Sequence, residues 1–210
     1  MEVRRLHRVR CPLKVAVRLP GSKSLSLRAL LAAALADGAS RVVGLLDAED
    51  TQLMRDALRG LGFAIETDHR GDTLVRGAGG FIPQVEADLY GGSSGATVRF
   101  CIALAALGHG DYRVDGSARM RQRPVGALVD ALRSLGARIG YESSEGYPPV
   151  LVRAQGLGGG EVHIGAAPSS QMISALLLAA PCARSDVLIE VAADLPSRPY
   201  VALTLAVMQA

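Results

Sequence analysis

Tryptophan is absent, and five tyrosines and three phenylalanines hold the aromatic share to 4% of 210 residues. The core must then be built from Ala, Leu, Val and Gly, which favours closely packed helices. Cysteine is equally sparse. Cys11, Cys101 and Cys182 are odd in number and lack C-x-x-C spacing, which excludes a disulfide framework and a zinc ribbon. They read as reduced, buried thiols of a cytosolic protein. His7, His69, His109 and His163 are scattered without ligand spacing, so no metal is expected. No sign of charge dominates: 23 Lys+Arg stand against 20 Asp+Glu, a formal net charge of +3. No basic run interleaves with aromatics, so nucleic acid is not an expected partner. Long apolar runs are missing as well. The N-terminus MEVRRLHRVRCPLKV has no signal-peptide core. The uncharged stretch Ile164–Ala183 is broken by Pro168, Ser169, Ser170, Gln171 and Pro181, which leaves Met172–Ala183, too short to span a bilayer. What is left is a globular, cytoplasmic chain, 49% hydrophobic and 20% charged, whose scattered arginines suit a small anionic substrate.

What is present is repetition. Residues 55–65 (RDALRGLGFAI) and 129–139 (VDALRSLGARI) agree at seven of eleven positions, 74 residues apart. Residues 123–132 (RPVGALVDAL) and 198–207 (RPYVALTLAV) agree at five of ten, 75 apart. A second series keeps step: Ser22-Lys23-Ser24, Ser93-Ser94-Gly95 and Ser169-Ser170-Gln171 each open an apolar run, ending near Ala36, Leu107 and Ala183. Two independent series with one spacing define a structural repeat.

Each repeat carries two kinds of helix. Ala29–Ala36 (ALLAAALA) is apolar on nearly every face and should be buried all round. Thr51–Leu61 and Pro124–Leu135 carry charge on one side and should be half-exposed. Pro124 and Pro199 suit a first helical turn, and Gly62 and Gly136 suit a helix C-terminus. Strands are expected at Leu13–Arg18, Arg41–Leu45, Thr73–Arg76, Tyr112–Asp115, Val150–Arg153, Glu161–Ile164 and Val187–Val191. The sum is an α/β chain of three βαβαββ units. In the third, Ala210 matches Leu135, so the chain stops inside a helix with about 30 residues of the pattern unfilled. The expectation is a fragment or half of a split protein.

Serine at a helix start is by itself an ordinary cap. Three matching buried helices, however, would aim their free N–H groups and positive dipole ends at one face, which binds phosphate or carboxylate. Lys23, Arg28, Arg123 and Arg99 lie on or beside these segments. Arg28 is the lone charge in its apolar helix, either a marginal residue with its head in solvent or a cation held for an anion. Gly21-Ser22-Lys23-Ser24 lacks the GxxxxGK[ST] spacing of an ATPase P-loop. Gly77, Gly79 and Gly80, and the GLGGG run 156–160, read as turns and not as a dinucleotide fingerprint.

At this point the motifs resemble a known family. LPGSKSLSLRALLAAALADG (19–38) resembles the opening motif of 5-enolpyruvylshikimate-3-phosphate (EPSP) synthases, the 3-phosphoshikimate 1-carboxyvinyltransferases of the shikimate pathway to chorismate and the aromatic amino acids. Matches continue through LLDAEDT (45–51), GGSSGATVRF (91–100), GSARMRQRPVGALVDALRSLGA (116–137), YPPV (147–150), PSSQMISALLLAAP (168–181) and SRPYVALTL (197–205). The resemblance implies an inside-out α/β barrel domain of the enolpyruvyl transferase type, three βαβαββ pseudo-repeats with the third truncated. Residues 20–210 would form the first domain, incomplete at its C-terminus. Residues 1–19 would be a strand segment of a second domain, which is otherwise missing and would be the chain's partner. The active site lies between the two domains in the family, so this chain alone is expected to be inactive, with possible self-association through the truncated edge.

The resemblance also implies the chemistry. The 5-hydroxyl of shikimate 3-phosphate adds to the central carbon of phosphoenolpyruvate, the vinyl carbon is protonated, and phosphate leaves the tetrahedral intermediate. No cofactor is implied. Carried over by motif, Lys23 is the catalytic residue and touches both substrates. Ser24, Arg28, Ser169, Ser170, Gln171, Ser197 and Tyr200 join it on shikimate 3-phosphate, and Ser93, Gly95 and Arg123 join it on phosphoenolpyruvate. Three positions depart from the family pattern: Leu27 replaces an Asn or His, Ser93 an Asn, and Ala96 a Thr, which bears on phosphoenolpyruvate affinity and on the response to glyphosate. Two other readings are a non-catalytic assembly half of a split enzyme and a relative of UDP-N-acetylglucosamine enolpyruvyl transferase.

Overall fold

The computed structural model describes residues 3–5, 8, 12, 14–17, 19–165, 169–192 and 197–210. Six helices run in order α1 (Lys23–Leu35), α2 (Glu49–Gly60), α3 (Gly95–Ala106), α4 (Gly126–Ser134), α5 (Ser170–Ala179) and α6 (Arg198–Gln209). Between them lie β1 (Asp37–Val42), β2 (Ala64–Thr67), β3 (Thr73–Ala78), β4 (Glu86–Tyr90), β5 (His109–Asp115), β6 (Arg138–Tyr141), β7 (Val150–Gln155), β8 (Gly160–Ile164) and β9 (Val187–Val191). The middle unit, β4-α3-β5-α4-β6-β7, is a full βαβαββ. Its sheet has the order β4-β5-β7-β6, with β4 parallel to β5 and the remaining pairs antiparallel. The first unit has three of these strands (β1-β3-β2) and the third has two (β8 parallel to β9) among the described residues.

Helices form the centre and sheets the shell. α3 (GATVRFCIALAA) buries eleven of its twelve residues, because Ala and Gly on every face let α1, α5 and the sheet approach it together. In the sheets, alternate residues face inward: Tyr112 and Val114 on β5 meet Val152 and Val150 on β7. The opposite face is charged, with Arg113 forming a two-point ion pair to Glu142 (2.7 and 2.9 Å). Cys101, fully buried, has its thiol pushed up to about 12 by burial, which leaves it inert. Cys182 is half-buried and raised for the same reason, while Cys11 lies outside the described residues.

The amphipathic helices end as expected. Gly62 and Gly136 take φ of 91° and 95°, and the amides of Phe63 and Ala137 reach back to the carbonyls of Leu58 and Leu132. Other boundaries moved. Pro199 lies in the first turn of α6, but Pro124 precedes α4, which starts at Gly126 because the Val125 and Gly126 amides both donate to Gly146 O. β1 covers 37–42 instead of 41–45, since Gly44 turns the chain at φ 67°. Of the predicted strand Leu13–Arg18, positions 13 and 18 lie outside the described residues and 14–17 form no strand. Among the described residues no helix is long and apolar enough to cross a membrane. Leu188 and Leu205 leave apolar side chains half-exposed on the flanks of β9 and of α6 respectively.

Candidate active site

The serines that open α1, α3 and α5 are caps in fact: Ser22 Oγ accepts from the Leu25 amide, Ser94 Oγ from Thr97, and Ser169 Oγ from Gln171. Ser93, the first of its pair, sits outside the helix and shares a 2.8 Å hydrogen bond with the Ser117 hydroxyl. Capping leaves other first-turn amides free for a ligand. All three helix starts border one cleft of about 410 Å³. Its wall contains every residue the sequence reading assigned to substrate: Lys23, Ser24, Arg28, Ser93, Gly95, Arg123, Ser169, Ser170, Gln171, Ser197 and Tyr200. Pro168 of the same motif lies outside the described residues.

Three cations line the cleft against one carboxylate among the lining residues, Asp50. Sequence reasoning had not assigned Asp50 a place, although LLDAEDT was quoted. Its Oδ2 lies 3.5 Å from Lys23 Nζ, with both side chains open to solvent, so the contact steers the lysine more than it stabilises the fold.

Arg28 settles the choice between solvent and site. It is 3% exposed, and its head turns inward. Nε donates to Thr204 Oγ1 (2.7 Å), Nη2 to Ser174 Oγ (2.8 Å) and Nη1 to Ser24 O (2.9 Å), while the Phe100 and Tyr200 rings lie 5.5 and 5.8 Å away. Thr204 also donates to Ser174 Oγ (2.8 Å). Burial draws Arg28 below the ordinary arginine value, with Tyr200 partly opposing it. Its partners among the described residues are hydroxyls, a carbonyl and rings, and none of them carries a negative charge.

Gly95 leaves no room for a side chain. A Cβ there would lie 2.5 Å from Arg123 Nη1 and 2.6 Å from Arg99 Nη1, so two guanidiniums cross its Cα. Arg123 itself is loosely held, with Nη1 3.5 Å from Ser93 O. Ser197 adds strain: it precedes α6 at φ 62°, uncommon for a residue other than glycine, and its hydroxyl does not cap the helix. Leu27, 1% exposed, joins the core and forms an apolar part of the cleft wall. A crowd of donors and cations with few acceptors, at three helix N-termini, is built to hold a polyanion.

Comparison with known proteins shows the family. The family model for EPSP synthase (3-phosphoshikimate 1-carboxyvinyltransferase) matches residues 8–210, and the chain belongs to that family. It is 47% identical over 195 residues to the 3-phosphoshikimate 1-carboxyvinyltransferase of Sulfurovum sp. (strain NBC37-1), covering 92% of this chain and 46% of that protein. The enzyme of that name from Thiobacillus denitrificans is 46% identical over 195 residues, with 92% and 45% covered. The solved EPSP synthase of Acinetobacter baumannii superposes with a TM-score of 0.76 at 29% identity, covering 89% of this chain and 42% of that one. The chain thus spans about half the length of the curated relatives it matches, and its fold is the EPSP synthase α/β fold that the motif resemblance implies.

Proposed function

We propose that this chain supplies the shikimate-3-phosphate half of an EPSP synthase cleft, residues 20–210 forming one enolpyruvyl-transferase domain and the 1–19 segment belonging with a second. The observation that carries the reading is the shared wall in which three helix starts, Lys23, Arg28 and Arg123 meet. The substrates are shikimate 3-phosphate and phosphoenolpyruvate. Ser169, Ser170 and Ser197 take the shikimate phosphate by hydroxyl and backbone donors, with Ser24, Arg28, Gln171 and Tyr200 around the ring. Gly95, Ser93 and Arg123 take phosphoenolpyruvate.

In the reaction the 5-hydroxyl oxygen bonds to the central carbon of phosphoenolpyruvate as the methylene carbon gains a proton. The C–O bond to phosphate then breaks, the added proton or its equivalent is lost, and the enolpyruvyl ether remains. The Lys23 ammonium supplies positive charge where negative charge gathers on the oxygens. Among the described residues lining this cleft the one carboxylate is Asp50, which faces Lys23. Half-exposed Leu188 and Leu205 support covering of those flanks by protein, a second copy included, which sedimentation at two concentrations tests.

Isothermal titration of the protein with shikimate 3-phosphate tests the reading. Lys23→Ala and Ser170→Ala are each expected to weaken binding about tenfold or more. Binding unchanged in both variants overturns the site assignment.

A further inference from the structure

A further arginine lies behind the cleft and lines no part of it. Arg99, on the second turn of α3, is 3% exposed. Its Nη1 donates to Gly95 O and to Gln171 Oε1, each at 3.0 Å, and its Nη2 donates to Pro124 O at 2.7 Å. One planar group therefore ties together the start of α3, the turn that follows Arg123, and the start of α5. Its Nε is buried without a partner among the described residues. A guanidinium only donates, so the Gln171 amide must turn its oxygen toward Arg99. The amide nitrogen, with both hydrogens, is then the end left for the cleft that Gln171 lines.

We propose that Arg99 is a positioning residue, which locks Gln171 so that its N–H donors, and not its oxygen, face an anionic ligand in the cleft. The inference rests on the substrate-binding reading above. Burial, with the Arg123 charge beside it, lowers Arg99 to about 10, so it is still protonated at neutral pH. Two like charges meeting over the Gly95 Cα repel each other until an anion arrives, and the locked amide keeps its oxygen from facing that anion. Lysine cannot replace this fork, since one ammonium cannot hold oxygens of three elements in a plane.

The test is steady-state kinetics of the complete enzyme with both substrates, on Arg99→Lys, Gln171→Ala and the double variant. Arg99→Lys is expected to raise KM for at least one substrate about tenfold with kcat within about twofold, and the double variant to be no worse than Gln171→Ala alone. Losses that multiply in the double variant overturn the proposal, as does a lowered Tm with wild-type KM, which would make Arg99 only a brace between helices. Wild-type KM in Gln171→Ala is a different failure and removes Gln171 from the site. Should Arg99→Lys not fold, Gln171→Glu answers instead: an oxygen already facing Arg99 becomes an ion pair, so Tm rises above wild type, and a fall in Tm overturns the proposed orientation.

Discussion

Arg28 and Arg99 stand in the second turns of the apolar helices α1 and α3, six and five residues beyond their capping serines, Ser22 and Ser94. Each donates Nη1 to the carbonyl four residues back, Ser24 O at 2.9 Å and Gly95 O at 3.0 Å. There the likeness ends. Arg28 reaches two buried hydroxyls, Ser174 and Thr204, and lines the cleft. Arg99 reaches a fixed carbonyl and a side-chain amide and stays behind the wall. Hydroxyls rotate and can pass a hydrogen bond onward, so Arg28 can adjust to a ligand. Carbonyls cannot, so Arg99 is suited to hold other groups still. In α5 the residue five beyond the capping Ser169 is Ser174, whose hydroxyl receives Arg28 Nη2.

The comparison can be broken experimentally, and the largest effect should come from Arg28→Ala. It removes the buried cation and strands Ser174 and Thr204, and we expect shikimate-3-phosphate affinity to fall about a hundredfold, measured by calorimetry. Gly95→Ala should come next. Its methyl displaces both guanidiniums, so KM for phosphoenolpyruvate should rise about tenfold, and shikimate-3-phosphate affinity, reached only through Arg99 and Gln171, should fall by no more than a few-fold. Equal losses for both substrates would show that the two arginines do not serve separate halves of the cleft. Thr204→Val keeps shape but removes the acceptor of Arg28 Nε, and should cost about 1–2 kcal/mol in urea denaturation with a few-fold loss of affinity.

The smallest effect should fall on the turn bearing Arg123, and it depends on pH. Asp115 is 4% exposed. Burial works to raise its carboxyl, but hydrogen bonds from Arg121 (2.5 and 3.0 Å), the Gly116 amide and Arg113 outweigh burial and hold it below the usual carboxylate range. A carboxyl depressed in the folded state stabilises above its unfolded value near 4 and loses that contribution as pH falls through its folded value. Asp115→Asn should therefore cost about 1–2 kcal/mol at pH 7 and almost nothing once wild-type Asp115 is itself protonated, compared by urea melts at both pH values. A cost independent of pH would mean that packing, not the ion pairs, holds the turn.

Much of this was legible in the residues. The 74- and 75-residue spacings located the units, because each unit must bury one apolar helix and one amphipathic helix in the same order. Gly62 and Gly136 marked two helix ends, because a left-handed residue there closes the last carbonyls. The strands that escaped placement, β2, β4 and β6, are four or five residues long and half-exposed, each with a single buried inward residue (Ile65, Leu89 and Ile139). Such a pattern is too short to show alternation, and pairing with β3, β5 and β7 decides it. Pro124 looked like a helix start by its type, but Gly146 O took the amides that follow it.

From the sequence alone came the repeat, the apolar helices and the serines, lysine and arginines at their starts, since periodicity and side-chain chemistry are local properties. Only the tertiary structure decided that Arg28 faces inward, that Asp50 reaches Lys23, and that Arg99 pins Gln171 from behind. Those outcomes depend on contacts 27, 72, 146 and 176 residues apart, and burial gives a charge its direction only when the helices that exclude water around it have met.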